Sequence, residues 1–172
     1  GAVGKTCMLV TFKKNRFPEE YIPTIFENYL TTISVQGKHY ELNLWDTAGQ
    51  EEFERLRPLS YMDADVFLVC FSINSLSSLE NVSSKWIPEL KHHAPNTPFL
   101  LIALKTDLRD DDAQEMSAKL ISEERGSQVS QEIQAHKYLE CSALTTKGLG
   151  DVFEEAVLAT ISKAPSSCCT IL

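Results

Sequence analysis

Apolar and polar positions along the chain follow two periods. Residues 65–72 and 98–104 are continuous apolar runs of strand type, the pattern of strands covered on both faces. Between them, residues 76–93 carry helical spacing through Leu79, Val82, Trp86 and Leu90, despite Pro88. The sequence then repeats the theme, with a short strand over 137–141 and an amphipathic helix over 148–161 through Leu149, Val152, Phe153, Ala156, Val157 and Ile161. Nearer the start, an apolar helix-forming run covers 7–12. Residues 29–35 and 39–45 are β-rich, Tyr40, Leu42 and Leu44 share one face, and Gln36-Gly37 between them predicts a hairpin. The stretch 15–28, with Pro18, Pro23 and several aromatics, reads as a long loop, and long ordered loops are usually functional. Strand and helix in alternation predict an α/β fold: a mostly parallel sheet with one antiparallel edge strand, helices on both faces, and ligands at the carboxyl ends of the strands.

Composition narrows the class. The 172 residues fit one domain with a real core, and no internal repeat or linker divides them. Sixteen Lys and Arg against 24 Asp and Glu leave a net charge of −8, which argues against nucleic acid as a partner. Cys7, Cys70 and Cys141 sit in apolar runs without a C-x-x-C pair, so they read as buried, reduced thiols of a cytosolic protein. No apolar run approaches the ~20 residues needed to cross a bilayer. His39, His92, His93 and His136 read as solvated, the acidic run at 110–112 as a charged helix start, and Trp86 as core. Trp45 stays open between core and partner contact.

The chemistry lies in the loops. Gly1-Ala2-Val3-Gly4-Lys5-Thr6 reads as the second part of a phosphate-binding loop, G-x-x-x-x-G-K-[ST]. Gly4 lets the backbone approach a phosphate closely, and successive N–H groups at the helix start point at the anion. Lys5 reaches the β and γ oxygens, and the Thr6 hydroxyl meets Mg²⁺. The opening glycine of the pattern falls two residues before Gly1. The chain as given is therefore expected to lack that glycine and the strand before it, about eight to twelve residues, and to be destabilised by the loss. Asp46 and Gly49 form D-x-x-G, a carboxylate able to hold Mg²⁺ through water and a backbone N–H for a γ-phosphate. After the 98–104 strand, Asp107 can accept two hydrogen bonds from one edge of guanine while the Lys105 stem lies along the ring. After the last strand, Ser142-Ala143-Leu144 can present a backbone N–H to the guanine oxygen.

These loops, in this order, resemble those of a small GTPase of the Ras superfamily, specifically the Rho family and its Rac-like members. The resemblance covers essentially the whole chain. It is carried by Gly1-Ala2-Val3-Gly4-Lys5-Thr6-Cys7, Phe17-Pro18-Glu19-Glu20-Tyr21-Ile22-Pro23-Thr24, Leu44-Trp45-Asp46-Thr47-Ala48-Gly49-Gln50-Glu51, Arg55-Leu56-Arg57-Pro58-Leu59-Ser60-Tyr61 and Glu140-Cys141-Ser142-Ala143-Leu144. It implies a P-loop GTPase fold binding GTP or GDP with Mg²⁺, with Thr24 on the metal beside Thr6 and Asp46, Phe17 packed on the guanine, and Tyr21 over the phosphates. Gln50 would orient the attacking water and Gly49 sense the γ-phosphate. The implied partners are guanine-nucleotide exchange factors, GTPase-activating proteins, effector proteins and a dissociation inhibitor. The sequence departs from the family at Leu104, where Asn or Thr precedes Lys-x-Asp. A Rho-type helical insertion is expected over 110–120, followed by a short segment, 121–128.

Residues 1–163 are expected to form the GTPase domain and 164–172 a flexible, lipidated tail. Cys169-Thr170-Ile171-Leu172 has the C-a-a-X form, with Cys169 as the prenyl acceptor and a terminal Leu that favours geranylgeranyl. One lipid chain holds a membrane only marginally, so palmitoylation of Cys168 is the expected second signal, placing the protein on the cytoplasmic face of a membrane. Two other classes stay in view. A constitutively loaded scaffold is opposed by Gly1 and Gln50 and mildly favoured by Leu104, and a P-loop kinase or ATPase is opposed by Asp107.

Overall fold

The computed structural model describes residues 2–19, 26–49, 57–110, 119–161 and the strand 169–171. Helix α1 (Lys5–Lys14) opens after Gly4 at φ 109° and ends at Asn15, also left-handed at φ 51°. Lys13 and Lys14 in its last turn complement the negative end of the helix dipole. Strands β1 (Phe26–Val35) and β2 (Lys38–Thr47) form the expected antiparallel hairpin. Gln36 and Gly37 both take positive φ, 50° and 75°, a two-residue turn whose twist suits paired strands. The hairpin is longer than the sequence predicts: β1 begins at Phe26, inside the stretch read as loop, and β2 runs on through Asp46 and Thr47.

Strands β3 (Phe67–Ser72), β4 (Phe99–Leu104) and β5 (Lys137–Cys141) form a parallel sheet in that spatial order. Successive side chains of a strand point to opposite faces, and here each face has its own core. On one, Phe67, Val69, Phe71, Leu101 and Ala103 meet Leu79 of α2 (Leu76–Asn81), Ile87 and Leu90 of α3 (Ile87–His93), and Val129 and Ile133 of α4 (Glu123–Ile133). On the other, Leu68, Cys70, Leu100, Ile102 and Leu104 meet Met8 and Leu9 of α1 and Val152, Phe153, Ala156 and Val157 of α5 (Leu149–Ile161). Helices on both faces are thus as expected. The helical stretch crosses Pro88 by way of a π-helical turn, Val82–Trp86, in which the Ile87 amide reaches back to the Val82 carbonyl. That wider ring accommodates a residue that cannot donate and would crowd an ordinary turn.

The structure differs from the sequence reading in two places. The strands do not form one sheet: among the described residues they make two three-stranded sheets, β3-β4-β5 and β1-β2-β6. The third strand of the second sheet, β6 (Cys169–Ile171), lies in the carboxyl-terminal segment 164–172. It pairs in parallel with β2, Leu42 opposite Cys169 and Leu44 opposite Ile171, satisfying backbone groups on the edge that β1 leaves open. Leu42 and Leu44 nevertheless share the core of α1, α5 and the β3-β4-β5 sheet. Lastly, α4 was not among the expected elements. Ser122 caps it, its side chain accepting the Arg125 amide at 3.2 Å, with Glu123 and Glu124 in the first turn. Gly126 weakens the helical signal, yet a Cβ there would lie 2.2 Å from the Tyr138 hydroxyl, so glycine is what lets α4 lie against β5.

Candidate functional site

The first turn of α1 is built to meet an anion. Gly4 holds a φ that other residues rarely adopt, and its carbonyl takes the Met8 amide at 3.0 Å as the first helical bond. The N–H groups of Lys5, Thr6 and Cys7 lie ahead of that first bond, and that turn carries no acidic residue. The result is a cluster of donors at the positive end of a helix dipole. Val3 is buried in the core, so its part in the loop is played by its backbone, while Ala2 is exposed. Cys7 corrects the sequence reading in one respect: it is half-buried, unlike the buried Cys70 and Cys141. Burial raises its thiol pKa, against a smaller opposing pull from Lys105.

Thr6 Oγ1 donates to Asp46 Oδ2 at 2.5 Å, joining the start of α1 to the end of β2. Asp46 is 2% exposed, and a carboxylate so buried requires polar or cationic neighbours. A hydroxyl and a carboxylate side by side are hard oxygen donors, the set that holds Mg²⁺ together with phosphate oxygens. The donors present therefore fit the cation the sequence assigns to them. Among the described residues no three His, Cys, Asp or Glu side chains gather where they could hold a metal ion. Thr24, the remaining residue expected on the metal, lies outside the described residues, as do Gly1, Tyr21, Gln50, Cys168 and residues 111–118 of the insertion expected over 110–120.

The residues expected on the base side come from the ends of β4 and β5. Lys105, left-handed at φ 65°, turns the chain into a short 3₁₀ helix, Thr106–Arg109. Its Nζ donates to the Ala2 carbonyl at 3.3 Å, a direct tie to the phosphate loop. Ser142 Oγ donates to Asp107 Oδ1 at 2.5 Å and accepts the Thr145 amide at 3.1 Å, which fixes the loop after β5 against Asp107. An ionised carboxylate accepts about four hydrogen bonds, so this one leaves capacity for a donor pair on a base edge. Ala143 is half-buried and Leu144 exposed beside it. Phe17 keeps 39% of its surface exposed, an aromatic face open to contact. The structure thus brings Ala2, Gly4, Lys105, Asp107 and Ser142 into one arrangement, and Thr6 with Asp46 into another at the same helix start.

Two clusters beside these loops escaped the sequence reading. Arg57, 4% exposed, forks onto Glu89 with both bonds at 3.1 Å, reaches the Ala48 carbonyl at 3.4 Å and lies over the Trp86 ring. Tyr61 also donates to Glu89, at 2.6 Å. This places Arg57 and Tyr61 in a buried network that grips the residue before Gly49. Burial pushes the Glu89 carboxyl up, but hydrogen bonds from Arg57 and Tyr61 outweigh it and the net shift is downward. The second cluster joins Arg109, Glu140 and Tyr138. Partners 32 and 31 residues apart leave no local signal; the only pointer was the distinctive run from Arg55 to Tyr61.

Compared with models of protein families, the chain matches the one described as the Ras family over residues 1–162.

Proposed function

The chain belongs to the Ras family and is accordingly a GTP-binding molecular switch with GTPase activity; from that premise we propose that it is a Rho-type, Rac-like member. The observation that carries the nucleotide site is the convergence of two ties, Thr6 on Asp46 and Lys105 on Ala2, with Ser142 seated on Asp107. The Rac-like reading is supported by the run Arg55-Leu56-Arg57-Pro58-Leu59-Ser60-Tyr61, whose Arg57 and Tyr61 converge on Glu89.

In this reading the first-turn amides of α1 and Lys5 hold the β- and γ-phosphates. Asp107 accepts two hydrogen bonds from guanine, the 142–144 loop offers a backbone N–H to its oxygen, and Phe17 packs on the ring. Thr6, Thr24 and Asp46 hold Mg²⁺, which when bound offsets the charge of the β and γ oxygens. Gln50 orients the attacking water, and the Gly49 amide registers the γ-phosphate, so that the loops 17–29 and 48–61 are ordered with it and released as GTP becomes GDP. No arginine stands just before Thr24 to serve from within the chain. Intrinsic hydrolysis is therefore slow, and an activating protein supplies an acceleration of about 10³–10⁵. Exchange factors reload the site, and effectors read its GTP form. Geranylgeranylation of Cys169, which requires Cys169–Ile171 to leave β2, together with palmitoylation of Cys168 would hold the protein on the cytoplasmic face of a membrane, and a dissociation inhibitor would extract it.

The deciding experiment is the identity of the bound nucleotide and its hydrolysis rate with and without a Rho-type activating protein. Bound guanine nucleotide, slow turnover and acceleration by that activator support the reading. Acceleration only by activators of other Ras-family branches would contradict the Rac-like assignment.

A further inference from the structure

Beside the contact between Ser142 and Asp107 lies a second, parallel rung. Two residues past Asp107, Arg109 extends both terminal nitrogens to Glu140, which stands two residues before Ser142; Nη1 meets Oε2, and Nη2 meets Oε1 at 3.0 Å. The same Nη2 donates to the Ile121 carbonyl at 2.8 Å, and the Ile121 amide in turn donates to the Ile73 carbonyl at 2.8 Å. Tyr138 completes the Glu140 carboxylate with a bond of 2.5 Å. Arg109 and Glu140 keep only 26% and 19% of their side-chain surface exposed. A forked, partly desolvated pair of this kind fixes direction as well as distance.

The turn it holds is short and depends on its anchors, Lys105 on Ala2 and Ser142 on Asp107 among them. Lys105 through Arg109 is a single 3₁₀ turn with a left-handed residue at its head, closed by two backbone bonds, Leu108 to Lys105 and Asp110 to Asp107. Such a turn has poorer hydrogen-bond geometry than an α-helix and takes its orientation from its anchors. Opposite it, β5 is held by its pairing with β4 and by Gly148, which approaches the Glu140 carbonyl so closely that a Cβ there would come within 2.3 Å. We propose that Arg109 is a positioning residue for guanine selection, which sets Asp107 against Ser142 by clamping the 105–109 turn to β5 through Glu140. This rests on the reading of Asp107 as the guanine acceptor.

The test compares release of GDP and of inosine diphosphate, which lacks the exocyclic amine that Asp107 reads, from the full chain and three variants. In the parent, inosine diphosphate leaves faster than GDP. In Arg109→Ala, GDP release accelerates by about tenfold and the ratio of the two rates collapses toward one, because a turned carboxylate loses the second hydrogen bond. Arg109→Lys, which keeps the charge but loses the fork, gives an intermediate ratio. The exchange Arg109→Glu with Glu140→Arg restores part of the parent ratio. If Arg109→Ala releases both nucleotides faster by the same factor, the arginine merely stabilises the fold and the proposal is overturned. Should Arg109→Ala fail to fold, a parent-like ratio in Arg109→Lys overturns it equally. A parent that holds the two nucleotides alike would contradict the guanine-site reading itself, a separate failure from the one that concerns Arg109.

Discussion

Thr6 and Asp46, 40 residues apart in the chain, meet oxygen to oxygen at 2.5 Å, so that the start of α1 and the end of β2 share one hydrogen bond. The two groups are also the donors assigned to the divalent cation, so loss of the hydroxyl should act on both. Thr6→Val keeps the side-chain volume and removes the oxygen. GDP release from this variant should be faster by about ten- to a hundredfold, a loss of one or two polar contacts to charged groups. Chelating Mg²⁺, which should accelerate release from the parent, should have little further effect on the variant. Release rates with and without chelator check this, and a full chelator response in Thr6→Val would remove Thr6 from the cation site.

The buried fork between Arg57 and Glu89 gives a pH dependence of defined sign. The folded-state pKa of Glu89 is lowered, so its contribution to stability is complete above the ordinary glutamate value, about 4.3, and is lost as pH falls through the lowered value. Glu89→Gln leaves Arg57 buried against a neutral partner, which should cost about 3–5 kcal/mol near pH 7. Denaturant unfolding of parent and variant between pH 3 and pH 7 reads both. The difference between them should shrink as the pH is lowered, and a difference constant across that range would show that the pair is not what Glu89 contributes.

Leu104 departs from the family pattern, and its surroundings explain how a leucine is tolerated. It is 2% exposed in the core, and its Cδ1 lies 3.9 Å from where a Cβ on Gly4 would be, so its side chain lies near that loop and can offer it apolar contact but no hydrogen bond. An asparagine there would sit within reach of the backbone of that loop. Leu104→Asn should slow GDP release by about tenfold, the worth of one hydrogen bond, and leave the preference for guanine over adenine unchanged. Stopped-flow release of a fluorescent GDP measures it. Rates within a factor of about two would mean that packing already supplies the tie, since one net hydrogen bond is worth at least that much.

Different physical signals decided which parts were legible. Strands β3 and β4 could be read because both their faces are buried, leaving unbroken apolar runs. The hairpin was marked by Gln36-Gly37 and by Leu42 and Leu44 on one face. Asp107 and Ser142 could be singled out as candidates because each follows a strand readable in the sequence, although their mutual hydrogen bond could not. Helix α4 was hidden by Gly126, which serves the approach to Tyr138 rather than the helix. The division into two sheets and the pairing of Cys169–Ile171 with β2 depend on which strand edges find partners, and strand edges leave no periodicity in the chain. Arg57 with Glu89, and Arg109 with Glu140, are chosen by the fold in the same way.

The proposed anchor makes a simple cellular prediction. Cys169→Ser should abolish prenylation and leave the protein wholly in the soluble fraction. Cys168→Ser should weaken membrane association without abolishing it, since one chain gives marginal, reversible binding. Fractionation of cells expressing each form checks this, and equal membrane fractions for parent and Cys169→Ser would contradict the lipidation proposal.

The central claim is that Asp107 selects guanine, and its carboxylate can be edited without disturbing its neighbour. In Asp107→Asn the remaining carbonyl oxygen can still accept from Ser142, while the amide nitrogen replaces an acceptor with a donor. A donor there opposes the N–H groups of guanine but suits the carbonyl of xanthine at the same position. The measurement is the dissociation constant of parent and Asp107→Asn for GDP and for xanthosine diphosphate. The account predicts that GDP binding weakens by about 10²–10⁴-fold, the loss of two hydrogen bonds to a charged group, while xanthosine diphosphate binding strengthens. Unchanged GDP affinity in the variant, with no gain for the xanthine nucleotide, would contradict it.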